Sequence, residues 1–394
     1  MSSSKINPAS RLSLVQEYYF SGKLKEIAEM RQKGLDVINL GIGSPDLPPS
    51  SSVIDTLYKN ASNPSNHGYQ SYNGIPALRN ALARWYKTYF HADLDPSAEI
   101  LPLIGSKEGI MHISMAFLDP GDEVLIPNPG YPAYEAATKL AGGKVRYYDL
   151  TEENGWLPET GMLEKTDLSR VKIMWINYPN MPTGRKASLE IFRNLVAFAR
   201  KHSILLINDN PYSFILNDSP LSIFSAEGSK EIALELNSLS KSHNMAGWRI
   251  GMVGGNPAFI NAIMKVKSNM DSGMFQPLQA AAAEALEAPE EWYRQLNEVY
   301  LRRRVIAGEI MDALSCTFNR DQAGLFLWGR IPEYFTDAAE MTDALLYNRY
   351  VFITPGLIFG SNGNRYIRIS LCAPEDVLKA ALDRVKIPLQ KINN

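Results

Sequence analysis

Between residues 99 and 255 the sequence alternates short apolar runs with stretches of helical periodicity. The apolar runs predict buried strands, and residues 188–201 are typical of the amphipathic helices that connect them. Strands connected through helices pair in parallel, and a parallel sheet is covered by helices on both faces. The predicted fold class is therefore α/β, with a mainly parallel sheet between helices. The predicted strands cover residues 100–104, 123–126, 144–148, 171–176, 204–207, 232–235 and 250–253.

The pattern changes after Gly255, where the chain continues into helices and then into a few separated strands. A chain of 394 residues is too long for one core, because single cores stop growing near roughly 250 to 300 residues. We expect an arm and part of a small domain over residues 1–48, a large domain over 49–288, and a small α+β domain over 289–394. Helices are predicted at 22–34, 277–286, 290–314 and 375–385, and further strands at 325–328, 351–353 and 366–371.

Composition narrows the classes of partner and compartment. Forty basic and 42 acidic side chains leave a net charge of −2, so neither nucleic acid nor an anionic membrane is an expected partner. Cys316 and Cys372 are too few for a disulfide framework, and residues 1–20 lack the apolar core of a signal peptide. No run approaches the ~20 apolar residues of a membrane span. A cytoplasmic location is the expectation, and no metal site is predicted.

Lys241 lies in the segment Ser-Leu-Ser-Lys-Ser, and Arg249 follows it in a glycine-containing turn. A lysine amine forms a Schiff base with the aldehyde of pyridoxal 5'-phosphate, and the forked guanidinium of an arginine binds the phosphate. The flanking Ser238 and Ser240 are further candidates for cofactor binding. Because most lysines in polar loops are simply solvated, this hypothesis depends on the other residues.

Polar side chains follow several predicted strands, and ligands of open parallel sheets bind beyond the carboxyl ends of the strands. Ser106 and Lys107 open a helix, whose free N–H groups favour a phosphate, although a plain serine cap is commoner. Tyr131 lies in a turn fixed by prolines, from which its ring can present a face to a ligand. Asp209 is a candidate for the carboxylate that keeps a pyridine nitrogen protonated. The alternative is that its side chain only caps the loop after the strand.

These segments resemble those of the class I and II aminotransferases, the fold-type-I pyridoxal phosphate enzymes. The resemblance extends from Gly43 to Arg368, which is most of the chain. It implies a large domain and a smaller α+β domain. It also implies an enzyme that moves an amino group between an L-amino acid and a 2-oxo acid through a Schiff base on Lys241, with ping-pong kinetics.

The resemblance implies further residue roles. Tyr212 would bond the phenolic oxygen of the cofactor, and Tyr131 would stack on its ring. Gly43 and Arg368 would bind the substrate carboxylate, for which a forked cation is suited. Tyr69 would reach the cofactor phosphate of a partner subunit, which makes the expected assembly a homodimer with shared sites.

One segment departs from the family pattern. Residues 177–184, Asn-Tyr-Pro-Asn-Met-Pro-Thr-Gly, resemble the asparagine-proline-threonine-glycine signature, but Met181 stands where the family has an asparagine that bonds the phenolic oxygen. Methionine cannot donate that hydrogen bond. Its neighbour Asn180 is the candidate replacement.

Two alternatives stay open at this point. The same apparatus eliminates a β-substituent in cysteine-sulfur lyases, which differ from transferases because their cofactor does not alternate between aldehyde and amine forms. A non-enzymatic cofactor or amino-acid sensor is less favoured, because family regulators carry a DNA-binding module for which the sequence before Gly43 leaves no room. The identity of the amino donor is not indicated by the sequence.

Overall fold

The structure is a computed structural model and describes residues 6–387. Residues 1–5 of the predicted arm and residues 388–394 of the predicted small domain lie outside the described range. Twelve strands and thirteen α-helices occur in the described range. The strands are β1 Ile38–Asn39, β2 Ile100–Leu103, β3 Glu123–Asn128, β4 Lys144–Asp149, β5 Val171–Ile176, β6 Leu205–Asp209, β7 Ala233–Ser238, β8 Gly251–Gly255, β9 Phe326–Arg330, β10 Val351–Phe352, β11 Thr354–Pro355 and β12 Tyr366–Ser370. The helices are α1 Tyr19–Gln32, α2 Ser51–Ala61, α3 Pro76–Phe90, α4 Ser106–Phe117, α5 Pro132–Leu140, α6 Thr160–Leu163, α7 Leu189–Lys201, α8 Leu239–Ser242, α9 Pro257–Lys267, α10 Gln276–Leu286, α11 Glu290–Ala313, α12 Ala338–Arg349 and α13 Glu375–Val385.

The central sheet has seven strands in the order β2-β8-β7-β6-β5-β3-β4. The strands from β7 to β4 pair in parallel, whereas β8 is antiparallel to both of its neighbours. Every residue of β6 is buried, as a strand covered on both faces requires. The α/β class with a mainly parallel sheet is therefore confirmed.

The connection between β6 and β7 differs from the predicted alternation of strands and helices. It contains two short 3-10 turns, Ile223–Ser225 and Ser229–Glu231, and no α-helix. The reason is local, because residues 217–220 read Asn-Asp-Ser-Pro and Gly228 adopts a left-handed φ of 70°. Residues of these types favour turns over helix.

A second core contains residues from both ends of the described chain. Phe20, Ile27 and Leu40 pack in one apolar cluster with side chains between residues 296 and 385. Here β11-β12-β9 form an antiparallel sheet, and β1 pairs in parallel with β10. We call the apolar cluster around these strands the C-terminal core. The domain boundaries at 48 and 288 stay predictions.

No helix of the described chain is long and apolar enough to cross a membrane.

The central position of β6 predicts a large effect from truncating one of its side chains. Leu206 is fully buried in the sheet, so Leu206→Ala should lower the free energy of unfolding by about 2 to 5 kcal/mol. Lys172→Ala, at an exposed position of the neighbouring β5, is the matched control and should change it by less than about 0.5 kcal/mol. Urea denaturation measures both, and equal effects would contradict this account of the core.

Candidate active site

A cavity of about 740 Å³ opens where the carboxyl ends of the sheet strands meet the C-terminal core. It brings together eleven of the residues singled out in the sequence. They are Gly43, Ser106, Lys107, Tyr131, Asp209, Tyr212, Ser238, Ser240, Lys241, Arg249 and Arg368.

Lys241 is held at the cavity by the turn that follows β7. The hydroxyl of Ser238 caps the short helix α8 by accepting the N–H of Ser240 at 3.1 Å. The amine of Lys241 donates to the carbonyl oxygen of Gly43 at 2.5 Å. Burial lowers the pKa of this amine, which favours the neutral form that attacks a carbonyl. A Cβ at position 43 would lie 2.1 Å from Phe326 Cζ, so any larger residue there would displace this ring.

Asp209 ends β6 with its carboxylate almost fully buried. Its Oδ2 accepts a hydrogen bond from Tyr134 at 2.9 Å, whereas its buried Oδ1 has no partner within the described chain. Burial raises the pKa of this carboxyl to about 6. Tyr134 is fixed in turn by stacking on Trp175 at a centroid distance of 4.8 Å. A buried acceptor without a donor fits the N–H of a protonated pyridine.

Two cationic side chains, Lys107 and Arg249, lie close to the start of α4. Gly105 precedes it with φ 82°, and a Cβ there would lie 2.2 Å from the guanidinium of Arg249. Burial, followed by the charge of Arg249, lowers the pKa of Lys107. Neither cation has an ion-pair partner among residues 6–387. Two such cations beside the free N–H groups of a helix start fit a phosphate.

Arg368 projects from β12 with its guanidinium buried. It donates to the carbonyl of Gly41 at 2.8 Å and to the sulfur of Met181 at 3.3 Å, and it lies 3.8 Å from the ring centroid of Phe326. Burial lowers its pKa to about 10, so the group is still charged at neutral pH. No carboxylate of the described chain pairs with it, and a carboxylate ligand would supply the missing counter-charge.

The loop that carries Gly43 is fixed to the C-terminal core. Asp46 receives two hydrogen bonds from Arg303 on α11, at 2.6 and 2.8 Å. The hydroxyl of Thr354 donates to the carbonyl of Gly41 at 2.9 Å. The bond between Lys241 and Gly43 therefore joins the sheet to the C-terminal core.

Asn180, the candidate donor to the phenolic oxygen of the cofactor, does not line the cavity. Its amide donates to the carbonyl of Asn177 at 3.2 Å and accepts from the hydroxyl of Thr183 at 2.7 Å, so it holds the turn together and does not line the cavity. The thioether of Met181 does line it, beside Arg368. The hydroxyl of Tyr212, which can donate a hydrogen bond to a phenolic oxygen, also lines the cavity.

Tyr69 lies outside the cavity of its own chain. Its side chain is 94% exposed, in a shallow depression formed by residues 67–70 and 272–275. Nothing within the described part of the chain gives this tyrosine a role in the site.

Several cavity residues were missed by the sequence interpretation. Asn177 donates to the carbonyl of Asp209 at 2.5 Å and accepts from the N–H of Met181 at 2.7 Å. The rule that selected Asp209 could have selected it, because it directly follows β5. Tyr18 and Phe20 reach the cavity from the N-terminal arm, and no sequence pattern indicates this.

Comparison with known proteins agrees with this chemistry. The sequence profile described as aminotransferase class I and II matches residues 35–385. The chain is 42% identical to an LL-diaminopimelate aminotransferase of Dehalococcoides mccartyi over 96% of its own length and 97% of the relative's. It is also 42% identical to the enzyme of the same name from Moorella thermoacetica, over 98% and 99% of the two lengths.

Solved structures are similar over nearly the whole chain. Substrate-bound BacF from Bacillus subtilis superposes with a TM-score of 0.92 at 34% identity, covering 99% of this chain and 100% of that one. A probable N-succinyldiaminopimelate aminotransferase from Thermus thermophilus gives a TM-score of 0.85 at 33% identity, covering 93% and 99%. The chain therefore belongs to the class I and II aminotransferases, the pyridoxal-phosphate-dependent enzymes that exchange amino groups between amino acids and 2-oxo acids.

Proposed function

We propose that Lys241 carries the covalent and proton-transfer chemistry of this aminotransferase, with Asp209 and Arg368 as the groups that fix cofactor and substrate around it. The observation that carries the proposal is the placement of three desolvated charged groups in one cavity. Lys241 is a buried amine with a lowered pKa, Asp209 has an unpartnered oxygen, and Arg368 has no carboxylate partner. The bound cofactor or substrate would supply a partner for each of these three groups.

Pyridoxal phosphate, when bound, supplies an aldehyde that links to amines and a ring that withdraws electrons from the substrate's α-carbon. Arg368 would hold the substrate carboxylate through two N–H groups, which fixes the orientation of the α-carbon. Lys241 would hold the cofactor through its amine and, as a free amine, would take the α-proton as general base. Ser106, Lys107 and Arg249 would bind the phosphate.

The names of the relatives indicate the first donor to test. Proteins called LL-diaminopimelate aminotransferase match at 42% identity over nearly the full chain, so we propose LL-diaminopimelate as the leading candidate. A panel of amino donors assayed against 2-oxoglutarate, pyruvate and oxaloacetate would identify the substrate pair. Turnover of other amino donors, together with no turnover of LL-diaminopimelate, would overturn this choice.

The cytoplasmic location stays a prediction.

We also propose a homodimer with shared sites. Tyr69 and Phe275 are exposed and line one shallow depression, where Gly273 packs against the backbone of Gln70. Exposed aromatic side chains next to each other are typical of protein interfaces. This surface would place Tyr69 at the phosphate site of the partner subunit.

Replacing the lysine should remove catalysis and leave the fold intact. Lys241→Ala is expected to lower transamination at least about a hundredfold, because covalent exchange and general-base catalysis depend on the same amine. Steady-state kinetics measure the loss, and Lys379→Ala, at an exposed position on α13, is the control. Near-normal turnover by the Lys241 variant would refute the assignment.

Shared sites predict complementation between two inactive variants. In a heterodimer of Lys241→Ala and Tyr69→Ala subunits, one of the two sites has an intact lysine and receives an intact tyrosine from the other subunit. A randomised equal mixture should therefore recover about a quarter of the parental activity. Mass spectrometry verifies subunit exchange; heterodimers without activity, or an active monomer in light scattering, would contradict the proposal.

Met181 predicts a spectroscopic effect. Met181→Asn would add an N–H donor beside the phenolic oxygen, so the oxygen would hold the imine proton less tightly. The pKa of the Lys241 imine nitrogen should fall by about one to two units. A spectrophotometric titration measures it, and Met181→Leu, which adds no donor, should leave it unchanged. An unchanged or higher pKa in the asparagine variant would show that position 181 does not face this oxygen.

A further inference from the structure

A second buried carboxylate lies in the sheet behind the cavity. Glu235, in the middle of β7, is fully buried. It does not line the cavity, so it touches neither cofactor nor substrate. None of the roles assigned above involves it.

All hydrogen-bond donors to this carboxylate are neutral. Its oxygens accept from the hydroxyl of Tyr86 at 3.0 Å, the amide of Asn208 at 2.8 Å, the N–H of Ile223 at 2.8 Å and the hydroxyl of Ser222. No lysine, arginine or histidine of residues 6–387 forms an ion pair with it. A buried charge without a counter-ion is costly, and apolar residues of similar volume often serve stability as well or better. Stability alone therefore does not explain a carboxylate here.

One set of hydrogen bonds runs from Glu235 towards Asp209. Asn208, which donates to Glu235, immediately precedes Asp209 in β6. The side-chain oxygen of Asn208 accepts the N–H of Tyr178 at 3.2 Å, at the start of the turn that holds Met181. Glu235 thereby fixes the strand end that presents the Asp209 carboxylate.

The other set runs towards Lys241. The oxygen of Tyr86 accepts from the amide of Asn237 at 3.3 Å, and the side-chain oxygen of Asn237 accepts the N–H of Ser238 at 2.8 Å. Ser238 caps the helix that carries Lys241. The segments that carry Asp209 and Lys241 are thus both linked to Glu235 through intervening hydrogen-bonded residues.

We infer that Glu235 is a positioning residue for the proposed chemistry: it sets the spacing between Lys241 and Asp209, and its charge stabilises positive charge on the cofactor between them. The inference rests on the proposed roles of Lys241 and Asp209. In a medium of low dielectric constant, a carboxylate favours protonation of nearby groups. In agreement, the charge of Glu235 adds to the effect of burial in raising the pKa of Asp209.

Two substitutions separate the charge from the hydrogen bonds. Glu235→Gln removes the charge at nearly constant size, so the pKa of the Lys241 imine should fall by about half a unit or more. The dissociation constant of pyridoxal phosphate should rise at least about threefold. Tyr86→Phe keeps the charge and cuts the set of bonds towards Lys241, so kcat should fall with little change in KM, because Arg368 lies on neither set.

The measurements are spectrophotometric titration, cofactor binding to the apoenzyme and steady-state kinetics, with circular dichroism to establish folding. Glu231→Gln, at a mostly exposed side chain just before β7, is the matched control and should behave as the parent. A parent without a visible imine band would refute the proposed function itself. A parent with the band, and a Glu235→Gln variant with the same imine pKa and cofactor affinity, would overturn the inference. If that variant does not fold, a Tyr86→Phe protein with parental kcat overturns it instead.

Discussion

The parallel pairing of β5, β6 and β7 is the constraint on which the site depends. In the observed register Ile176 lies opposite Asn208, and Asp209 lies opposite Leu236. Because side chains alternate between the faces of a sheet, a slip of one residue would turn the Asp209 carboxylate to the other face. The same ladder brings the ends of the three strands to one edge. The backbone ladder therefore fixes which face of the sheet the Asp209 side chain lies on.

The cavity shields the ionisable groups of Asp209, Lys241 and Arg368 from water even without a ligand. Burial raises the pKa of Asp209 and lowers the pKa values of Lys241 and Arg368, so each group is shifted towards its neutral form. A ligand of opposite charge reverses the direction for Asp209 and Arg368. Preorganised groups of this kind need little rearrangement during the reaction, which is where much of the catalytic advantage of enzymes lies.

The sequence predicted what depends on local pattern and strand order. Asp209 and Ser106 followed from the rule that ligands bind beyond strand ends, and Ser238 was selected because it flanks Lys241. Arg368 came only from family resemblance, since alternation does not reveal what a strand residue faces. Asn180 was misplaced because the bonds inside a turn depend on its backbone. Tyr18 reaches the cavity through tertiary packing of the arm, which leaves no local pattern.

The contact between Lys241 and Gly43 has a mechanical consequence. It joins the sheet to a loop that Asp46 and Arg303 fasten to the C-terminal core. A lysine nitrogen engaged in a covalent bond has fewer hydrogens to donate, so covalent attachment of a cofactor to Lys241 would weaken this contact. The strength of one link between the sheet and the C-terminal core would then depend on whether the Lys241 amine is free.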